Sequence, residues 1–452
     1  MKIPFLSIIV SSFILSLVFT SCLKSEDAVN YEIDPTIKSF SFDSIRIDSS
    51  HTVIGKKYPF YIDQIGDAET ALIYNADSLP VNTPLTKVKV NFSTSGGVTY
   101  VNKNGKDTIY TSTDSLDFTN PVKFTTYAYN SDGSIVKKLY KISFNVHKQD
   151  PDSLNWGTQP FYTGTGLTGK QKSLIFNNQA FVFTDDGSAQ IKVTSSAVSS
   201  GKNWASLQTI SGISGKADYS SVTLFKNNLY IVAGGNVYVS GNGTDWSKNS
   251  GLSDNVTTLL TSFNGFLTGI KTVGTDSKFC VTTDEQTWTI GETVPSDFPT
   301  ANISATSYTL RTNSNIHKAI LMGDNPSLGA NDTIAVPWST FDGKEWIDQS
   351  ASTGYCPKTS KSNMSIIYYN NKFYAFGGKG STGFNAFYVS EEGRIWKEVE
   401  EKVGFPKSFA GRGEYSYVVD NNNFIWLIWS KTAKNNDEVW KGRINSLGFT
   451  AQ

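Results

Sequence analysis

Residues 237–246 read VYVSGNGTDW, and the same text returns as FCVTTDEQTW at 279–288, WSTFDGKEW at 338–346 and FYVSEEGRIW at 387–396. Aligned, the text is Ser/Thr, any residue, Asp/Asn/Glu, Gly, two further residues and Trp. The first positions are Ser240, Thr282, Thr340 and Ser390, the third are Asn242, Asp284, Asp342 and Glu392, and the last are Trp246, Trp288, Trp346 and Trp396. A worn fifth copy ends at Trp204, and Glu285 stands where the other copies carry glycine. A unit that recurs every ~40 to 60 residues cannot bury its apolar face alone, so it stacks against copies of itself. The repeat therefore predicts a propeller or a solenoid.

A second signal interleaves with the first. Asn-rich turns sit between aromatic-flanked strands at Phe176-Asn-Asn178, Phe225-Lys-Asn-Asn228, Phe263-Asn-Gly265, Thr312-Asn-Ser-Asn315, Tyr369-Asn-Asn371 and Asp420-Asn-Asn-Asn423. Asn and Gly tolerate the positive φ that tight hairpins impose. The turns count six units, whereas the motif supplies only five tryptophans. The last unit ends with Glu438 to Asn445, which fits a third strand, after which the chain nearly stops. At the other end, Asn155-Trp156 reads like the missing Asp245-Trp246 pair. We expect residues 154–160 to supply the outer strand of the sixth unit, because pairing first with last removes exposed sheet edges.

The repeated turn resembles the Asp-box of sialidase-like propellers, one residue shorter than its usual form. That resemblance implies that hydroxyl and carboxylate bond the backbone of a hairpin, that glycine relieves the turn, and that tryptophan wedges between blades. Gly234-Gly235 and Gly377-Gly378, each ahead of a Tyr and a Trp, are also similar to kelch repeats. Ahead of the repeats, residues 37–148 alternate in the strand manner, as in Lys87 to Phe92 and Lys141 to Val146, with a turn at Asn130-Ser-Asp-Gly133. Short strands at that spacing predict an immunoglobulin-like sandwich, and residues 149–153 read as a linker. The expected fold is all-β: an Ig-like β-sandwich at 37–148, then a six-bladed β-propeller at 154–452.

Composition agrees with strands. Aromatic residues make up 13% and charged residues 18% of the 452, with 40 basic and 40 acidic side chains. The charges cancel and form no basic run, so nucleic acid is not an expected partner. Lys2, the apolar stretch Ile3 to Phe19 and then Thr20-Ser21-Cys22 resemble a bacterial lipoprotein signal, with phenylalanine at 19 where leucine is commoner. Residues 1–21 would be removed and Cys22 acylated, leaving 22–36 as a tether and a lipid anchor as the membrane partner. Leu23-Lys24-Ser25-Glu26-Asp27 resembles the acidic signal that sends Bacteroidota lipoproteins to the outer face of the outer membrane. The whole chain resembles an uncharacterised Bacteroidota lipoprotein family, which implies fold and address but no activity. The remaining Cys280 and Cys356, with His51, His147 and His317, show no metal-ligand spacing, so neither metal nor cofactor is expected.

In an antiparallel propeller the Asn turns and the repeated motifs share one short-looped face. The opposite face carries the long loops, where ligands are expected. Those loops hold Trp338, Tyr355, Phe384, Arg412, Glu414 and Tyr415, with Phe405 and Phe409 beside them. Aromatics near an Arg/Glu pair suit sugar stacking or a protein contact, so a glycan or a cell-surface protein is the expected ligand. The competing reading is a glycoside hydrolase or lyase of sialidase-like fold. A sialidase needs an arginine cluster to grip a carboxylate. Of the propeller's Arg311, Arg394, Arg412 and Arg443, only Arg311 and Arg412 are placed for the channel. A hydrolase of another kind would use a carboxylate pair such as Asp324 and Glu414. Gly164-Thr-Gly166-Leu-Thr-Gly169 fits a dinucleotide-binding spacing but lacks strand–turn–helix context, and reads as a loop.

Overall fold

The computed structural model describes residues 34–446 apart from 68–69, 102–104, 131, 325–333, 351–352, 359–363, 379–383, 385–386 and 434. The expected signal at 1–21, Cys22 and nearly all of the expected tether lie outside the described residues. Within them the regular structure is β-strand with short 3-10 turns and no α-helix. No helix of the described residues is long and apolar enough to cross a membrane. The chain divides into two compact units, Met1–Gln149 and Asp150–Gln452.

The first unit is built on a six-stranded sheet in the order Phe60–Asp67, Thr70–Asn75, Ile135–Ser143, Val122–Tyr129, Gly97–Val101, Asp107–Ile109. Two short two-stranded sheets pair Ser39–Phe42 with Val90–Ser93, and Ser44–Arg46 with Thr52–Ile54. The turn expected at 130–133 forms, with Gly133 at φ 80° and Tyr129 opposite Ile135. Alternation sends Ala71, Ile73, Phe124, Tyr140 and Ile142 into a core shared with Phe40, Phe42 and Phe118. Tyr140 keeps its hydroxyl satisfied there, accepting from the Ile37 N–H at 2.8 Å and donating to Gln64 Oε1 at 2.9 Å. A buried hydroxyl without such partners would destabilise the core.

The second unit holds six antiparallel sheets. Five are four-stranded meanders, each made from one continuous stretch: 170–209, 217–248, 256–293, 301–348 and 364–398. The sixth runs Tyr415–Val419, Ile425–Trp429, Glu438–Asn445, and its outer strand is Ser153–Trp156, from ahead of the first sheet. Tyr162–Thr163 pairs further along the same third strand. The tryptophan count asked for this outer strand, but Trp156 does not reproduce Trp246. Trp246 folds back over its own turn, its indole N–H on the Gly243 carbonyl at 3.2 Å. Trp156 lies inside the strand opposite Gly442, where a Cβ would stand 2.5 Å from its ring, and it packs on Phe405 and Phe409.

The repeated turns are stapled by their own side chains. Ser240 Oγ, Thr340 Oγ1 and Ser390 Oγ accept from the N–H groups of Gly243, Gly343 and Gly393 at 2.8, 2.8 and 2.9 Å. Asn242 Oδ1 accepts from Thr244 and Asp245, Asp284 Oδ1 from Gln286 and Thr287, and Asp342 Oδ1 from Lys344. Such local bonds hold the hairpin without help from the rest of the fold. Each turn also sits on the second strand of the preceding sheet. A Cβ on Gly243, Gly343 or Gly393 would stand 2.7, 2.4 and 2.4 Å from Phe181, Thr268 and Ile320. Gly201 of the first sheet meets Trp426 of the last sheet at 2.5 Å in the same way. Glu285 adopts φ 65° at this position, and its carboxylate reaches the Tyr230 hydroxyl and Lys226 on the preceding sheet. Trp288 then bonds the Leu252 carbonyl instead of its own turn.

A cavity between the first strands

The first strand of every sheet in the second unit faces a common cavity of about 370 Å³. These strands read as ordinary hairpin arms, yet they carry small hydroxyl residues, and those hydroxyls tie one sheet to the next. Ser173 Oγ donates to the Tyr417 carbonyl at 2.7 Å, Ser262 Oγ donates to the Leu224 carbonyl, and Ser304 Oγ accepts from the Ile366 N–H at 3.0 Å. Tyr417 donates to the Ile366 carbonyl at 2.8 Å.

Polar groups gather where the first strands begin. Lys172 points its ammonium at the Ser220 carbonyl, 2.6 Å away. Burial lowers its pKa to about 8, against a smaller opposing pull from Asp218. Asp218 is itself held by the N–H and hydroxyl of Ser220 at 2.9 and 2.7 Å. Burial raises the Tyr219 hydroxyl well above the ordinary phenol range, and the Glu414 and Asp218 carboxylates push it further. Tyr415 is raised for the same first reason and shares a 2.7 Å hydrogen bond with Ser365, while Tyr417 is pushed up to about 12 by burial. These phenols stay neutral at physiological pH and act as hydrogen-bond groups.

Two buried side chains beside the cavity keep a polar atom without a partner among the described residues. Gln171 donates to the Ile428 carbonyl at 2.6 Å, but its buried Oε1 has no partner, and the buried Ser416 Oγ has none either. Among the described lining residues Lys172 is the one cation and Glu414 the one carboxylate. The arrangement offers donors and acceptors together in a partly desolvated space. It contains no arginine, and no His/Cys/Asp/Glu group suited to a metal occurs among the described residues. Cys280 and Cys356 are separate buried thiols, raised by burial to about 12 and about 11.

Of the residues expected on the long loops, Glu414 and Tyr415 line this cavity. Trp338 is not a loop residue: it belongs to the strand Trp338–Thr340 and is buried against Phe298, 5.1 Å between rings. Phe384 is buried against Tyr415 and Trp429 at 4.7 and 4.8 Å. Arg412 is turned inward, paired with Glu438 and stacked on Phe409, Trp429 and Trp440. Tyr355 alone among the aromatics is open, 50% exposed on the short turn Thr353–Tyr355. Arg311 lies exposed in the turn joining Ala301–Leu310 to Asn313–Asp324, and Arg443 stacks on Phe424. Asp324 accepts from the Asn302 side chain. Sequence reasoning missed Gln171, Lys172 and Tyr219. Their one signal was a polar residue within a strand, which is also what a solvent-facing position shows.

The profile of the DUF6242 beta propeller domain matches residues 150–452, and that of the DUF6242 N-terminal domain, a domain of unknown function, matches residues 29–144. No curated protein sequence matches the chain. Among solved structures, a protein of unknown function from Dyadobacter fermentans DSM 18053 is similar at 11% identity, covering 64% of this chain and 98% of its own, with a TM-score of 0.41. The SapL1 lectin in complex with alpha methyl fucoside is similar at 11% identity, over 58% of this chain and 90% of its own, with a TM-score of 0.38. The Trypanosoma rangeli sialidase in complex with the inhibitor DANA is similar at 10% identity, over 72% of this chain and 60% of its own, with a TM-score of 0.40.

Proposed function

The chain belongs to the DUF6242 family, and from that premise we propose that its propeller is a non-catalytic binding domain that takes the polyhydroxylated end of a glycan into the mouth of the cavity. The observation that carries this reading is the polar lining of the cavity: Lys172 and Glu414 as its one cation and one carboxylate among the described lining residues, set among the hydroxyl residues Ser173, Ser220, Thr261 and Ser262. A sugar hydroxyl both donates and accepts, so it can bond an ammonium, a carboxylate and neighbouring hydroxyls in one partly desolvated space. The chain lacking residues 1–22 is tested on a glycan array, and hits are titrated against Glu414→Gln and Lys172→Met. Affinity should fall at least about tenfold in each. Unchanged affinity in both would remove the cavity as the site.

The hydrolase reading has one observation in its favour, the Glu414 carboxylate on the lining, which acts on Tyr219 together with Asp218 and on Tyr415 together with Asp324. Against it, Asp218 and Asp324 are engaged locally, and no arginine joins the described lining. Product release from any bound glycan, followed by chromatography, would replace the binding reading.

We further read the chain as a lipoprotein anchored through Cys22 to the outer membrane and facing the exterior. In this reading the first unit is an Ig-like spacer, and the six sheets are six blades of a ring closed by Ser153–Trp156. The support is Thr20-Ser21-Cys22 behind the apolar stretch, the acidic pair Glu26 and Asp27, and the contact of Gly201 with Trp426 between first and last sheets. Cys22→Ala should abolish labelling by a lipid precursor and release the chain from the membrane fraction. Persistent labelling would sink the anchor.

A further inference from the structure

We propose that the outward face of the six-stranded sheet in the first unit is a docking platform for an anionic polysaccharide. A sheet that buries one face usually turns polar residues outward on the other. This one turns out tyrosines and aliphatics: Tyr61 is 58% exposed, Tyr129 53% and Leu139 50%. The register makes them contiguous. Tyr61 is opposite Tyr74, Leu139 is opposite both Thr70 and Thr125, and Ile135 is opposite Tyr129. The rings of Tyr61 and Tyr74 lie 6.2 Å apart at 30°, offering neighbouring flat surfaces. Tyr127 is laid over Gly97, where a Cβ would come within 2.2 Å of its ring. Flat phenol rings backed by a rigid sheet suit the apolar faces of pyranose rings, and their hydroxyls remain wet.

The charge on the same face says what kind of chain fits. Lys123, Lys137 and Lys141 share the outward parity of these tyrosines and are exposed. None of the three forms an ion pair among the described residues. Lys141 is paired directly across the strands with Lys123. Like charges in that position repel and weaken a sheet. Asp63 at one edge of the sheet is engaged by the N–H groups of Ile65 and Gly66 in its own bulge. Asp107 lies on the opposite edge strand. A ligand with regularly spaced carboxylates or sulfates removes the lysine repulsion while its rings cover the tyrosines. The face spans six strands at ~4.8 Å spacing, room for several sugar units.

The platform is independent of the propeller cavity, and its test separates the two. The chain lacking residues 1–22 is immobilised and exposed at low salt to polygalacturonate and to its fully methyl-esterified form. The acidic polymer should bind and the ester should not. Lys123→Ser/Lys137→Ser/Lys141→Ser should lose at least about tenfold in affinity, and Lys123→Arg/Lys137→Arg/Lys141→Arg should retain it. Tyr61→Ala/Tyr74→Ala should lose about fivefold with all lysines in place, whereas Lys172→Met should change nothing. These positions are exposed, so melting temperatures should stay near that of the parent. The proposal is overturned if the triple lysine-to-serine variant or the double tyrosine-to-alanine variant binds like the parent. It is also overturned if phosphatidylglycerol vesicles bind as well as the polymer and without regard to the tyrosines, which would assign the face to a membrane.

Discussion

The first five sheets of the propeller and the last one solve the same problem by different means. In the five, the outer strand follows the third after a short turn, and in three of them a hydroxyl at the head of that turn holds the glycine N–H. In the last, the outer strand arrives from the far end of the domain and no such turn exists. Its place is taken by long-range packing. Trp156 lies on Phe405 and Phe409, and Arg412 is stacked among Phe409, Trp429 and Trp440 while paired with Glu438. Local closure uses hydrogen bonds between near neighbours in sequence, at little cost in loop entropy. Distant closure must offset a larger ordering cost, and it does so with buried aromatic area.

The most direct way to break this comparison is to remove the distant strand. A chain beginning at residue 164 should aggregate or melt far below one beginning at residue 150, since it loses the buried Leu154 and the partly buried Trp156, and loss of one large core side chain costs roughly 2–5 kcal/mol, a large part of an ordinary domain's net stability. Equal melting temperatures would make Ser153–Trp156 dispensable and the last sheet self-sufficient. Next in size is Arg412→Ala. It leaves Glu438, whose side chain is 12% exposed, without its cation, and should cost about 3–5 kcal/mol in denaturant titration. A loss near 1 kcal/mol would mean that the stacked aromatics alone hold the sheet.

Smaller effects test the local closures. Gly343→Ala meets both a φ of 77° and the Thr268 side chain at 2.4 Å, so a loss of about 1–3 kcal/mol is expected. Glu285→Gly at the matching turn relieves its φ of 65° but gives up Tyr230 and Lys226, so its net change should stay within about 1 kcal/mol. If the two variants cost the same, the close approach of turn and sheet is not what selects glycine. The smallest effect is titration of Asp284. Backbone N–H bonds from Gln286 and Thr287 hold its carboxyl below the usual carboxylate range. Its contribution is therefore full above the ordinary carboxylate pKa and fades as pH falls through the lowered value. Unfolding midpoints of the parent should decline more on acidification than those of Asp284→Asn. Parallel declines would leave that staple without energetic weight.

Much of this was legible in the text of the chain because it is local. A hydroxyl, an Asx residue and a glycine three to four positions apart dictate a hairpin, and Asn pairs such as Asn177-Asn178 and Asn370-Asn371 take the positive φ that their turns require. Counting those turns against the tryptophans also pointed to an outer strand near Trp156. The counting misjudged Trp156 itself, because a strand residue over a glycine and a turn residue over its own backbone look alike in sequence.

The candidate sites were less legible for a related reason. Trp338, Phe384 and Arg412 stand in loop-like or strand-edge text, and only packing decides that they turn inward. Lys172, Tyr219 and Glu414 lie on different sheets, and each meets the others only because the first strands share one cavity. Lys123 and Lys141 are unremarkable until strand register sets them side by side. The sequence by itself determined the all-β character and the stapled turns, since those follow from steric and hydrogen-bonding preferences of near neighbours. Tertiary structure decided which polar groups lose their water and which charges become adjacent, because desolvation and Coulomb repulsion depend on distance in space rather than along the chain.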